Sequence, residues 1–221
     1  MTLRGKEFYR KMEKYQKFIC VNLKHNLLLP VLLVVALCLF SPLAMGLENL
    51  DSLQTAKVVE VFLSLTGLIL LMTVFSPDID RDIRDMIASK KEPMTVIHTL
   101  RILCAAFVLA AVGILFLSWM KIGACQFSFF KMFFCFLANS IFLGGIGAFV
   151  FSLSNQPVLG YMASILYFLL NFGSGKKYMG NFFLFSMQYG SFTEKYYLLT
   201  GGLMLLLLAV VWRDLIRKRL I

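Results

Sequence analysis

The sequence predicts an all-α membrane protein with six transmembrane helices, and three observations lead to this prediction. The 221 residues are 59% hydrophobic and only 15% charged, with a mean hydropathy of +0.79. Soluble domains contain about 45–50% apolar and about 25% charged residues. The apolar residues form runs long enough to cross about 30 Å of hydrocarbon, and Lys and Arg concentrate in alternate connections between these runs.

The first element, residues 1–26, is predicted to be a cytoplasmic amphipathic helix in the membrane interface. Its apolar residues recur at steps of three and four, which places them on one helical face with Lys and Arg on the others. Such a helix lies beside anionic lipid rather than crossing the bilayer. The apolar face consists of Phe8, Met12, Tyr15, Ile19 and Leu23.

The transmembrane domain follows at 27–221, with spans at about 27–45, 56–75, 102–120, 132–154, 155–172 and 196–212. Lys57 and Glu60 fall near the start of the second span, where we expect them at the interface because a charge costs less there than at the bilayer centre. Few polar residues enter the spans, and no ionisable residue is expected near a midplane. The candidates for lining a substrate path are Ser64, Thr66, Asn139 and Asn171.

The distribution of basic residues predicts the orientation. Residues 1–26, 76–101 and 213–221 hold sixteen of the twenty-two Lys and Arg residues. Cytoplasmic loops carry the excess of positive charge. Both termini and the 76–101 loop are therefore predicted to be cytoplasmic, in a multi-pass protein of the plasma membrane.

The 76–101 loop reads as a short helix over about 77–91. Ser76 can cap it, Pro77 suits the first helical position, and Pro93 ends it. The aspartates near its start and the lysines near its end complement the helix dipole. An apolar stripe on a helix too short to span must dock, either on the spans of this chain or on a soluble partner. The stripe consists of Ile79, Ile83, Met86 and Ile87.

Small residues recur at four-residue steps in the fourth span, at Ser140, Gly144, Ala148 and Ser152. This spacing lets two helices approach closely in lipid, so we predict a helix-packing role. The glycines at 144, 145 and 147 are not a dinucleotide fingerprint, because no strand precedes them. Residues 173–195 are too aromatic for a plain loop and indicate a re-entrant or interfacial element on the outer side before the last span.

No arrangement of catalytic or metal-binding residues is evident. His25 and His98 are the only histidines, and both lie at predicted cytoplasmic borders. The five cysteines form no CxxC pair, and the GSGK at 173–176 lacks the Ser or Thr of a phosphate loop. The net charge of +10 reflects topology rather than nucleic-acid binding, because the basic residues lie between apolar runs. We expect no catalytic site, no metal and no cofactor bound by this chain.

This layout resembles the ABC-2 type permeases, the membrane subunits of ABC exporters. The stretch FSPDIDRDIRDMIASKKEPMTVIHTLRIL, residues 75–103, resembles that family's loop after the second span, with Arg101 opening the third. The stretch FLGGIGAFVFSLSNQPVLGYMASILYFLLNF, residues 142–172, resembles its glycine-rich fourth span and its fifth. The resemblance covers nearly the whole chain.

The resemblance implies that the 77–91 helix is a coupling helix, which docks on a separate ABC ATPase subunit that binds ATP and Mg. It implies a homodimer or a second permease chain, and a cargo moved outward. The weak polar lining favours an amphipathic or hydrophobic cargo such as a peptide or bacteriocin, a drug or a lipid. The family has a glutamate early in this loop, and which aspartate here replaces it stays open. The implied coupling residues are Pro77, Asp78, Ile79, Asp80, Arg81, Asp82, Ile83, Arg84, Asp85, Met86 and Ile87.

Two other classes of function remain alternatives. A non-transporting scaffold or immunity-type membrane protein would pack the 77–91 helix on its own spans and have no ATPase partner. An intramembrane enzyme would be active without ATP.

Overall fold

The computed structural model describes residues 26–79 and 94–216, and over these ranges the chain is all-helical, without a β-strand. The all-α prediction is therefore confirmed for this part of the chain. The predicted helix at 1–26 lies outside the described residues apart from its last one, and the 77–91 helix is described only to Ile79. The helices are α1 (Leu28–Met45), α2 (Ser52–Ile79), α3 (Met94–Ile122), α4 (Phe129–Ser154), α5 (Pro157–Met179) and α6 (Glu194–Val211).

Helix α2 is built from segments of different winding. It begins at Asp51, whose backbone N–H donates to Gln54 Oε1 at 3.1 Å in a capping box. An α-helical segment then gives way to a π-helical turn at Val59–Leu63, and the helix ends in a 3₁₀ segment at Thr73–Ile79. Helix α6 also continues into a π-helical turn, Trp212–Ile216. Such turns place a side chain away from its ordinary helical direction.

Five helical stretches in the described chain are long and apolar enough to cross a membrane, as a multi-pass membrane protein requires. They are Leu28–Met45, Ser52–Ile79, Thr95–Ile122, Phe129–Ser154 and Glu194–Asp214. The remaining predicted span, 155–172, is helical but shorter: its apolar stretch is Pro157–Gly173. Gly175 has φ 66° and interrupts α5 beyond that stretch.

Helix α4 lies at the centre of the bundle, where it packs on α2, α5 and α6. Helix α2 is the most enclosed candidate span, with 78% of its most apolar window buried, whereas α1 at 22% lies on the periphery. Most of the surface of α1 therefore faces outward with exposed leucines, as expected of a helix in contact with lipid.

The short connections close the two ends of the bundle. At one end, residues 46–51 and 123–128 pair through their backbones, with Asn49 N donating to Gly123 O and Gln126 N to Leu50 O, both at 2.9 Å. Residues 180–193 lie at the same end, against the start of α2. We call it the Glu60 end. The opposite end contains residues 73–79, 155–156 and 212–216, and we call it the Asp78 end.

Candidate functional site

A buried ion pair lies near the Glu60 end. Glu60 is on the π-helical turn of α2 and Lys195 is the second residue of α6, and the Lys195 Nζ to Glu60 Oε1 distance is 2.7 Å. Neither side chain has any exposed surface. Glu60 is eight residues beyond the first residue of α2, which is roughly 12 Å along the helix axis. The Glu60 side chain thus points into the protein interior, whereas its expected position at the membrane interface stays a prediction.

The Glu60 carboxylate accepts hydrogen bonds from the backbone of the connection before α6. Met187 N donates to Oε1 at 2.9 Å and Gln188 N donates to Oε2 at 3.3 Å. On α4, the Cys135 thiol donates to Oε1 at 3.6 Å. Both carboxylate oxygens thus have partners, which a buried charge requires.

The Lys195 ammonium has two further partners, on α4 and on residues 180–193. It donates to Asn139 Oδ1 at 2.9 Å and to the backbone carbonyl of Leu184. Asn139 Nδ2 in turn donates to Leu184 O at 3.0 Å and to Ser64 Oγ at 3.3 Å. We call Glu60, Ser64, Asn139 and Lys195, together with the backbone of residues 184–188, the Glu60 cluster.

Three of the four residues predicted to line a substrate path converge here. Ser64 and Asn139 belong to the Glu60 cluster, and Asn171 Oδ1 accepts from Leu184 N at 3.0 Å on its edge. Thr66 does not take part, because its hydroxyl donates to Leu63 O of its own helix at 2.6 Å. The Ser186 hydroxyl, on the same connection, is buried without a hydrogen-bond partner among the described residues.

The two charges of the cluster were missed by the sequence analysis. Glu60 and Lys195 each fall near the end of a predicted span, where a charge is ordinarily interfacial. They stand far apart in the chain, so no local spacing pairs them. The sequence signal that could have indicated their pairing is that one acid and one base fall at the same end of two different spans.

The connection between α5 and α6 enters the bundle. Phe183, Leu184 and Phe185 are buried, and they pack with Phe142 and Leu198 in one apolar cluster. The Tyr167 hydroxyl on α5 donates to Phe182 O at 2.7 Å. This segment therefore occupies the space between α4, α5 and α6 at the Glu60 end.

A second group of buried charges closes the Asp78 end. Asp78 Oδ1 accepts from Arg101 Nη1 at 2.8 Å, and Asp78 Oδ2 lies 3.5 Å from Arg213 Nε. His98 stands between two carboxylates, with Nε2 3.0 Å from Asp214 Oδ1 and Nδ1 3.5 Å from Asp78 Oδ2. The Arg213 guanidinium also lies over an aromatic ring of α2. These five residues form the Asp78 cluster, which joins the ends of α2, α3 and α6.

The structure places three of the predicted coupling residues. Pro77, Asp78 and Ile79 end the 3₁₀ segment of α2, and Ile79 is exposed. Asp78 is buried against its own chain and does not face outward. His98, expected at an interface, is also buried. The coupling residues from 80 to 87 lie outside the described ranges, so their role stays a prediction.

The small-residue stripe of α4 lies at close helix contacts. A Cβ added at Gly144 would stand 2.7 Å from Gly67 O on α2. Ser140 Oγ donates to Leu63 O at 3.3 Å, and Ser152 Oγ donates to Ala209 O of α6 at 2.7 Å. Ala148 is fully buried. The stripe thus touches both α2 and α6.

Among residues 26–79 and 94–216, no group of three or more His, Cys, Asp or Glu side chains is placed to hold a metal ion. No family model, no curated protein and no solved structure matches this chain.

Proposed function

We propose that this chain is the transmembrane permease subunit of an ATP-driven exporter of the ABC-2 type. The proposal draws on the resemblance of residues 75–103 and 142–172 to that family. Apolar helices packed around a central α4 are consistent with such a subunit. ATP and Mg would be held by a separate ATPase, and this chain would supply the path through the membrane.

The resemblance of residues 75–103 carries the proposal, and the position of Asp78 is consistent with it. Asp78 is the second residue of the predicted coupling helix, and its carboxylate is held by Arg101 of α3 and faces Arg213 beyond α6. A force applied to the coupling helix would reach three helices at once through this buried cluster. Packed side chains and ion pairs that join rigid helices are one way in which movement at a docking site rearranges a bundle.

We infer that α5 is a sixth crossing. Its 17 apolar residues, Pro157–Gly173, extend roughly 25 Å. Ser164 Oγ donates to Leu143 O within the bundle, and Asn171 reaches Leu184 at the Glu60 end. Six crossings would place both termini in the cytoplasm, as the Lys and Arg distribution predicts. A membrane-impermeant reagent can label cysteines added at each terminus in sealed cells. If the two termini react differently, the prediction that both lie on the same side is contradicted.

The cargo that fits best is amphipathic or hydrophobic, such as a peptide, a drug or a lipid. Glu60 faces Lys195, and Asp78 faces Arg101 and Arg213, so neither buried carboxylate of α2 is free to attract a small cation. In the family that the sequence resembles, six spans form half of a transporter. A homodimer or a pairing with a second permease chain is therefore part of the proposal.

Co-purification tests the docking step directly. Ile83→Asp puts a charge on the predicted apolar face, whereas Ala88→Asp puts the same charge on the opposite side of the helix. We expect the ATPase to be lost from membranes that contain the Ile83 variant and retained with the Ala88 control. Equal retention of the ATPase by both variants would contradict docking through this face.

One observation favours a second candidate, a scaffold or immunity-type membrane protein. Asp78 packs on its own spans, which is what that class of protein predicts for the start of the 77–91 helix. Such a protein would yield no nucleotide-hydrolysing partner on gentle detergent extraction.

A further inference from the structure

The Glu60 cluster connects α2, α4 and α6 to residues 180–193 through few groups. Glu60 comes from α2, Asn139 from α4 and Lys195 from α6. The connection between α5 and α6 contributes only backbone atoms to these bonds, namely Leu184 O and the N–H groups of Met187 and Gln188. Two opposite charges thus bind the main chain of this segment, in addition to the burial of its apolar side chains Phe183, Leu184 and Phe185.

A buried ion pair is a poor device for stability alone, because desolvation of the charges offsets much of their attraction. Replacing a buried ion pair by apolar side chains of similar volume often leaves the stability unchanged or raises it. What distinguishes an ion pair is that both charges become well solvated once water enters. Opening a buried ion pair to water therefore costs less than exposing an apolar contact of similar size, because the two charges regain their hydration.

The winding of α2 at this point is a second, independent observation. Glu60 lies in the π-helical turn Val59–Leu63, and the Ser64 hydroxyl donates to the Glu60 carbonyl within that turn. A π-helical turn carries one residue more per turn than the α-helix on either side, and such turns occur frequently at functional sites. Conversion to regular α-helix would shift the register by one residue and rotate Glu60 by about 100° away from Lys195.

We propose that the Glu60–Lys195 pair is a latch that keeps residues 180–189 inside the bundle and so closes its Glu60 end. Opening separates the two charges and releases the segment, and water then reaches the Asn139 side of α4. The inference rests on the proposed function, in which this end is the exit for the cargo. The π-helical turn of α2 is where the change in Glu60 orientation takes place.

Cys135 can report whether the latch is open, because its thiol is fully buried and donates a hydrogen bond to Glu60. The test uses full-length protein in proteoliposomes, with Cys135 as the single cysteine and the other four replaced by alanine. A membrane-impermeant maleimide is added, and the labelling rate is measured well below the unfolding temperature. Because the labelling rate follows the population of the open state, we expect Lys195→Met to raise it at least about tenfold.

The matched control is Lys176→Met. Lys176 also pairs with a glutamate at the same end, with Nζ 2.9 Å from Glu194 Oε1, but its side chain is 50% exposed. This variant removes the same charge from the chain without touching the latch. Its Cys135 labelling rate should equal that of the parent, and a rise matching that of Lys195→Met would overturn the proposal.

The double variant Glu60→Gln with Lys195→Met separates a latch from a purely structural role. It leaves no lone buried charge, and the new glutamine amide oxygen can still accept from Met187 N. We expect it to fold and to label as fast as Lys195→Met. A folded double variant with parental protection of Cys135 would overturn the proposal, as would a double variant that does not fold. The labelling uses the purified chain alone, so a missing ATPase partner would count against the proposed function and leave this result intact.

Discussion

Glu60 and Asp78 stand at opposite ends of the same helix, and each is a buried acid that faces a base from α6 or its continuation. Lys195 faces Glu60, and Arg213 faces Asp78. The two acids are separated by 18 positions along α2, or roughly 27 Å of helix. Helix α2 thus contacts α6 and its continuation through two separate buried pairs of opposite charge.

We expect Lys195→Met to lower the free energy of unfolding by about 3–5 kcal/mol, because it leaves the Glu60 carboxylate buried without its counter-charge. Lys176→Met should cost less than about 1 kcal/mol, because the lysine side chain is half exposed and the buried Glu194 carboxylate keeps hydrogen bonds from Ser191 and Thr193. Thermal unfolding in detergent, followed by intrinsic fluorescence, compares the two. Equal losses of unfolding free energy would show that burial does not make the Glu60–Lys195 pair more stabilising than the Lys176–Glu194 pair. Neutralising Glu60 in the Lys195→Met variant should recover part of the loss.

The sequence identified the polar side chains inside the spans, but it did not predict how the buried charges pair. Ser64, Asn139 and Asn171 were named as candidates for a substrate path because they are among the few polar residues in the apolar runs, and that role stays a prediction. The backbone of Leu184, which bonds to both Asn139 and Asn171, could not be predicted as their partner, because it lies in a connection without helical periodicity. Glu60 and Lys195 were assigned to interfaces because single-residue reasoning gives a charge near a span end an aqueous neighbour.

At the scale of the helices, the closest contact that glycines allow in the described bundle lies between α2 and α4. A Cβ added at Gly67 would lie 2.1 Å from Ser140 O, and one added at Gly144 would lie 2.5 Å from Leu71 Cδ1. Backbone atoms of neighbouring helices meet here because neither glycine has a side chain. This is the close approach that small residues allow in lipid, where van der Waals packing drives helix association.

Gly67→Ala should therefore destabilise the bundle by about 1–3 kcal/mol, since the clash is with a backbone carbonyl that cannot move aside easily. Gly173→Ala is the matched control, because a Cβ there meets nothing within 4 Å. Its stability should be unchanged or slightly raised, as helix propensity favours alanine. Unfolding midpoints of the two variants provide the comparison, and a stable Gly67 variant would contradict the close contact.

The sequence predicted the elements themselves well, since long apolar runs admit few alternatives. The described helices cover the six predicted runs, and the stripe of small residues in α4 does lie at helix contacts. The π-helical turn at Val59–Leu63 was not predicted, because winding of this kind depends on neighbours such as Lys195 rather than on periodicity. The break at Gly175 has a clearer signal, a glycine at positive φ that closes the Gly-Ser-Gly sequence at 173–175.

At the scale of the whole molecule, α4 forms the centre and α1 the rim, with charge clusters at the two ends. The Asp78 cluster adjoins the predicted coupling helix, and the Glu60 cluster binds the connection before α6. Composition and periodicity were sufficient to predict a helical membrane protein. They could not predict the order of packing around α4, because apolar helices of similar length differ little in pattern.

The central claim is a division of labour, in which this chain forms the path and a separate ATPase supplies the energy. The most direct measurement is ATP hydrolysis and cargo release in proteoliposomes, with the purified chain alone and with the ATPase that accompanies it from its native membrane. We predict neither activity from the chain alone, and peptide- or lipid-stimulated hydrolysis with outward transport from the complex. Activity of the chain by itself, or the absence of any nucleotide-hydrolysing companion, would contradict the account.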